Sequence, residues 1–121
     1  MKIGFIGTGE ITKNVVLGII SSNLRIAKIF LSKRNKLISS QLKKKSKKII
    51  ITNNNQEIVD KCNWVFLAVT PEVGKKIIKN LNFKTDQKVI SFISTIKMSE
   101  LKKYIKVRAQ IVRAIPLPPI S

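Results

Sequence analysis

The 121 residues suffice for one domain with a two-sided core and leave no room for a second. With 24 Lys and Arg against 6 acidic residues the formal charge is +18, yet a hydrophobic content of 44% excludes an intrinsically disordered chain. A single cysteine excludes an internal disulfide, the lack of histidine excludes imidazole-bound zinc, and no run reaches the roughly 18 apolar residues that a bilayer crossing needs.

The chain opens with Lys2-Ile3-Gly4-Phe5-Ile6, a short apolar run that reads as a buried parallel strand, with no basic-then-apolar order of a signal peptide. Gly7-Thr8-Gly9 follows as a tight turn. From Ile11 the apolar positions Val15, Val16, Ile19 and Ile20 mark one face of a helix and leave Thr12, Lys13 and Asn14 on the other. Ile26 to Leu31 is a second strand, and Lys36 to about Ser46 a second helix carrying the run Lys43-Lys44-Lys45-Ser46-Lys47-Lys48. Ile49 to Ile51 is a third strand, Gln56 to Lys61 a brief helix, and Trp64 to Val69 a fourth strand.

Thr70-Pro71-Glu72 has the marks of a helix start: a capping hydroxyl, a proline in the first turn and an acid near the positive end of the dipole. Val73, Ile77, Ile78 and Leu81 are its buried face. Val89 to Ile93 is a fifth strand, Met98 to Tyr104 a short helix and Val107 to Ala114 a sixth strand, before Pro116-Leu117-Pro118-Pro119 ends regular structure. Strands alternating with helices of about ten residues imply right-handed crossovers, hence an α/β, doubly wound parallel sheet of the Rossmann kind with helices on both faces.

The turn Gly7-Thr8-Gly9-Glu10-Ile11-Thr12 carries the first two glycines of the dinucleotide fingerprint and has Thr12 in place of the third. Gly7 permits the tight turn, Gly9 permits close approach of a pyrophosphate, and the helix beginning near Glu10 aims its free amides at the phosphates. About 20 residues further on, NAD-binding chains place an acid that bonds the ribose hydroxyls. Here Leu31 is followed by Ser32-Lys33-Arg34, a hydroxyl and two cations, which favours NADP over NAD. The alternative is that Lys33 and Arg34 are two more solvated cations of a lysine-rich surface.

The excess charge admits a polyanion as partner, but it is spread along the chain, mostly lysine, with one Tyr and one Trp as stacking platforms and no nucleic-acid-reading motif. Nucleic acid is therefore not the expected partner, nor is a membrane. Cys62, beside the apolar run from Trp64 and with no histidine to activate it, reads as a structural thiol in a reducing compartment, with cytoplasm the default. Tyr104 and Ser94, the remaining candidates for proton donation, read as structural, and no catalytic residue is assigned.

The chain resembles pyrroline-5-carboxylate reductase through nearly all of its length. The resemblance rests on Ile3-Gly4-Phe5-Ile6-Gly7-Thr8-Gly9, Ser32-Lys33-Arg34, Asn55-Gln56-Glu57-Ile58-Val59, Val65-Phe66-Leu67-Ala68-Val69-Thr70-Pro71 and Val112-Arg113-Ala114-Ile115-Pro116. It implies NAD(P)H-dependent reduction of the cyclic imine 1-pyrroline-5-carboxylate, a small molecule, to proline, in proline biosynthesis. By position it gives Ile6, Gly7, Thr8, Gly9, Glu10 and Ile11 to the pyrophosphate, and Ser32 and Arg34 to the 2′-phosphate. Asn55 falls near the adenosine ribose, Ala68, Val69, Thr70 and Pro71 form a backbone wall along the cofactor, and Ile93, Ser94 and Thr95 form the turn beside the nicotinamide.

Three departures from the family stand out. Thr70 replaces a common Lys, Ile93-Ser94-Thr95 is bulkier than the usual Ala-Ala-Gly and is expected to tighten or move the nicotinamide pocket, and Leu117-Pro118 replaces Asn-Thr. The family's C-terminal helical domain, which forms the homo-oligomer and completes the substrate pocket, is absent from these residues. The expectation is one NADP-binding domain over 1–121 that binds NADPH but is incomplete as a catalyst; the alternatives are a non-catalytic dinucleotide-binding module or a reductase of another imine or carbonyl.

Overall fold

The computed structural model describes residues 1–33 and 35–114. Among them are six strands, β1 (Lys2–Ile6), β2 (Lys28–Ser32), β3 (Ile49–Thr52), β4 (Trp64–Leu67), β5 (Lys88–Ser91) and β6 (Gln110–Arg113). Five helices connect them: α1 (Glu10–Ile20), α2 (Lys36–Lys45), α3 (Asn55–Lys61), α4 (Pro71–Ile78) and α5 (Met98–Ile105). Every pairing is parallel, and the strand order is β3-β2-β1-β4-β5-β6. The chain thus walks outward from β1 in one direction, crosses back over the sheet through α3, and walks outward from β4 in the other. This is the Rossmann order expected of a doubly wound α/β sheet.

Strand alternation sorts the apolar side chains into two cores. Ile3, Phe5, Ile29, Leu31 and Ile49 meet Val16 of α1 and Ile38 and Leu42 of α2 on one face. Ile6, Phe30, Val65, Leu67 and Val89 meet Ile58, Ile78, Leu101 and Ile105 of α3, α4 and α5 on the other. Burial on both faces is why the strands read as continuous apolar runs rather than alternating ones. On the α1 face Phe5 stacks on Phe66 at 4.5 Å and Phe66 on Phe92 at 5.7 Å, tying β1, β4 and the exit of β5 together.

The strand limits differ from the apolar runs in a consistent way. Pairing begins at the level of Lys2, opposite Lys28, so Ile26 and Ala27 lie below the lower rim although Ile26 is buried. It ends at Ile6, opposite Leu67, because Gly7 turns away; Ala68 and Val69 leave β4 and, one strand over, Phe92 and Ile93 leave β5. At the lower rim β6 begins at Gln110, opposite Lys88, the first residue of β5, rather than at Val107. A further correction concerns α1. Thr12, expected on the outer face, is fully buried, whereas Ile11 is 41% exposed, so the inward stripe runs Thr12, Val16.

Candidate functional site

The turn leaving β1 is shaped by its two glycines. Gly7 has φ +99°, a left-handed backbone that L side chains rarely adopt, and a Cβ there would overlap the carbonyl oxygen of Ala68 and stand 2.7 Å from Val69 Cγ1. Gly9 is the residue before α1, in extended conformation, and a Cβ built on it meets nothing within 4 Å. The space above Gly9 is therefore open to something other than protein. The first amides of α1 point toward that space, since no carbonyl precedes them by a turn. Thr12 occupies the third fingerprint position at no cost in packing, because its hydroxyl donates to the carbonyl oxygen of Gly7 at 2.7 Å.

Ser32, at the end of β2, is joined to the same turn. The Gly7 amide donates to Ser32 Oγ at 3.2 Å, Thr8 Oγ1 donates to the Ser32 carbonyl oxygen at 2.7 Å, and the two hydroxyls lie 2.8 Å apart. Ser39 of α2 donates to that same carbonyl at 3.1 Å. Thr8 and Ser32 are both buried.

Above these groups the carboxyl ends of the strands enclose three adjoining cavities. The middle one, about 450 Å³, is lined by Gly7, Thr8, Gly9, Asn35, Lys36, Ala68, Val69, Thr70 and Val73. Toward β3 a cavity of about 340 Å³ is lined by Ser32, Lys33, Lys36, Thr52, Asn53, Asn54 and Asn55. Toward β5 a third, about 410 Å³, is lined by Gly9, Glu10, Ile11, Ala68, Val69, Thr70, Pro71, Phe92, Ile93 and Ser94. Lys36 is shared by the first two and Gly9, Ala68, Val69 and Thr70 by the first and third, so the three form one trough. It crosses the point between β1 and β4 where the chain reverses direction, the place where open α/β sheets hold their ligands. Its charge is polarised, with Lys33 and Lys36 at the β2 end and the carboxylate of Glu10 at the other.

Most of the residues singled out from the sequence meet here, with three exceptions. Ile6 is wholly buried beneath the turn, Thr95 is exposed and lines none of the three cavities, and Arg34 lies outside the described residues, as do Ile115, Pro116, Leu117 and Pro118. Ile93 was expected to crowd the trough. Its side chain is 3% exposed and turns under α4, where Cδ1 lies 2.9 Å from the place of a Cβ on Gly74, so the bulk is absorbed by the absence of a side chain at residue 74.

Sequence reasoning missed Asn35, Lys36, Thr52, Asn53, Asn54, Val73 and Phe92. A signal for several of them exists in the caps. Asn35 Oδ1 accepts from the Ile38 amide at 3.1 Å, Asn54 Oδ1 from Glu57 at 2.8 Å and Thr70 Oγ1 from Val73 at 3.5 Å. In a parallel α/β sheet every helix starts at the carboxyl edge, and the capping residues of α2, α3 and α4 lie on the rim of the trough. Cys62, in contrast, sits at the end of α3 beneath Gly4, at the opposite rim. Burial pushes its thiol up to about 12, against the weaker lowering influence of Lys84 and Lys2. It is a packing residue.

Residues 2–96 match the family described as NADP oxidoreductase, coenzyme F420-dependent. Among solved structures, the pyrroline-5-carboxylate reductase of Coxiella burnetii is 27% identical with a TM-score of 0.84, over 97% of this chain and 44% of that one. The 1-pyrroline-5-carboxylate reductase of Streptococcus pyogenes is 24% identical with a TM-score of 0.75, over 96% and 42%. The pyrroline carboxylate reductase of Plasmodium falciparum, solved with NADP bound, is 21% identical with a TM-score of 0.75, again over 96% and 42%. The chain spans less than half the length of these relatives. No curated protein matches it.

Proposed function

The chain belongs to the NADP oxidoreductase, coenzyme F420-dependent family, and from that premise we propose that it is the NADPH-binding part of a reductase acting on the cyclic imine 1-pyrroline-5-carboxylate. The observation that carries the reading is the open space over Gly9, bounded by the amino end of α1 and placed at the reversal point of the sheet. A diphosphate fits there. A Cβ at residue 9 would fill the space a phosphate needs, and none is present; each of the three cavities lies within the roughly 300–1,000 Å³ of small-molecule sites.

Each part of the trough then has a task. The α1 amides and the positive end of the helix hold the two bridging phosphates. The β2 end offers Lys33 and Lys36, with side-chain amides from Asn53 to Asn55, to a 2′-phosphate, and among the described residues no carboxylate lines that cavity to receive a free 2′-hydroxyl instead. NADP is therefore preferred to NAD. Ala68 to Pro71 form a wall that orients the middle of the molecule, and Phe92 and Ser94 close the β5 end, where the reactive ring would lie. A nicotinamide bound there supplies the hydride; the protein supplies orientation and exclusion of water from one side.

An imine needs a second wall to be held against the ring. The substrate pocket and the homo-oligomer of the longer reductases are proposed to require chain beyond the matched half, and the working compartment to be the cytoplasm. No helix of the described residues is long and apolar enough to cross a membrane. Titration of the purified chain with NADPH and NADH, followed by calorimetry, tests the reading. NADPH is expected to bind at least tenfold more tightly, and failure of both at millimolar concentration overturns the proposal. Turnover of pyrroline-5-carboxylate by the 121-residue chain is expected to be negligible, and measurable turnover would show that the second wall is dispensable.

A further inference from the structure

The hydroxyl of Ser32 stands where a ligand of the 2′-phosphate is expected, at the end of β2 on the wall of the basic cavity. Its hydrogen bonds say otherwise. A serine hydroxyl has one proton and two acceptor sites. The Thr8 hydroxyl also has one proton, and it goes to the Ser32 carbonyl oxygen at 2.7 Å, an atom that can only accept. The 2.8 Å contact between the two hydroxyls is then a bond in which Ser32 is the donor and Thr8 Oγ1 the acceptor. One acceptor site of Ser32 Oγ takes the Gly7 amide at 3.2 Å. What Ser32 Oγ has left is a lone pair, which faces a phosphate dianion with repulsion rather than a bond.

We propose that Ser32 is a positioning residue: it binds no phosphate, and acts through the Gly7 amide and the Thr8 hydroxyl to hold the glycine turn in its ligand-ready shape. Three facts support this. Gly7 needs its left-handed φ of +99° to turn the chain, and its amide has Ser32 Oγ as acceptor. Thr8 is buried, and both hydrogen-bond partners of its hydroxyl are atoms of Ser32. Ser39 of α2 anchors the same carbonyl at 3.1 Å, so the start of the second helix and the first glycine turn are joined through one residue. The cavity keeps other groups for the dianion, since Lys33 and Lys36 line it and carry protons to donate.

The inference rests on the dinucleotide reading of the trough, and its test separates the two. Ser32→Ala is expected to weaken NADPH and NADH by the same factor, roughly tenfold, because a distorted turn harms the shared diphosphate. Lys36→Gln is expected to weaken NADPH alone. Thr8→Val is expected to reproduce Ser32→Ala, and the double variant to bind no worse than either single one, since both remove one unit. In the protein without nucleotide, amide exchange at Gly7 is expected to quicken in both single variants while the distant strands stay protected. That measurement needs no cofactor and distinguishes a local role from loss of fold. If Ser32→Ala lowers NADPH affinity and spares NADH, Ser32 is a phosphate ligand and the proposal is wrong. Unchanged affinities together with unchanged exchange at Gly7 overturn it as well. Quickened exchange at Gly7 in the two variants, together with a wild-type chain that binds neither nucleotide, would support the role of Ser32 in the turn and refute the cofactor reading.

Discussion

The hydroxyl of Thr12 lies 2.7 Å from the carbonyl oxygen of Gly7, so the first turn of α1 reaches back and fastens the loop that precedes it. The Thr12 side chain is fully buried. Thr12→Val, nearly the same shape without the donor, leaves that carbonyl facing a methyl group and is expected to cost about 1–3 kcal/mol. Urea unfolding measures this. An unchanged midpoint would mean that the hydroxyl contributes shape alone.

The two glycines of the turn should fail in different ways. Gly7→Ala puts a Cβ into the Ala68 carbonyl at a positive φ, and both effects oppose folding, by roughly 1–3 kcal/mol for the backbone alone. Gly9→Val places its Cβ in open space and should leave thermal stability nearly unchanged while abolishing NADPH binding. A Gly9→Val protein that binds as the wild type does would remove the diphosphate from this turn.

Cys62 makes stability fall at alkaline pH. Its thiol is raised from an ordinary 9.0 to about 12 in the folded chain, so the unfolded chain loses its proton first. The contribution is intact below pH 9 and is lost as pH rises from there toward 12, at up to roughly 1.4 kcal/mol per pH unit. Urea unfolding at pH 8 and pH 10.5 should show a steeper loss in the wild type than in Cys62→Ala. Equal slopes would refute the shift.

Salt should stabilise the protein. The formal charge is +18, and Lys61 with Glu57 at 3.6 Å is the only ion pair among the described residues. Lys2 and Lys28 stand opposite each other on adjacent parallel strands, about 4.8 Å apart at the backbone. Raising sodium chloride from about 0.05 M to about 0.5 M, roughly a tenfold change in screening salt, is expected to raise the melting temperature by on the order of 5 °C. Lys28→Glu should raise it at low salt by creating an opposite-charge pair with Lys2. A melting temperature indifferent to both changes would show that the repulsion is already relieved by solvent.

Apolar spacing was enough to count the strands and helices and to order them along the chain, because burial on two faces leaves a plain mark on composition. Strand ends were not legible, since Ile26, Val69 and Ile93 are apolar wherever pairing stops, and what stops it is the length of the neighbouring strand. Thr12 was misplaced because its burial depends on an acceptor five residues away. Lys36 escaped notice among 24 cations that look alike in sequence, until the capping geometry of Asn35 put it on the trough.

The half of the sheet built from β1, β2 and β3 meets the half built from β4, β5 and β6 along a single line of backbone bonds, with α3 laid across the joint. The trough runs over that joint from Lys36 to Phe92. A molecule lying end to end in it acts as a splint across that joint, added to the Phe5–Phe66 stack and the shared cores. Occupancy should therefore slow opening of both outer flanks together.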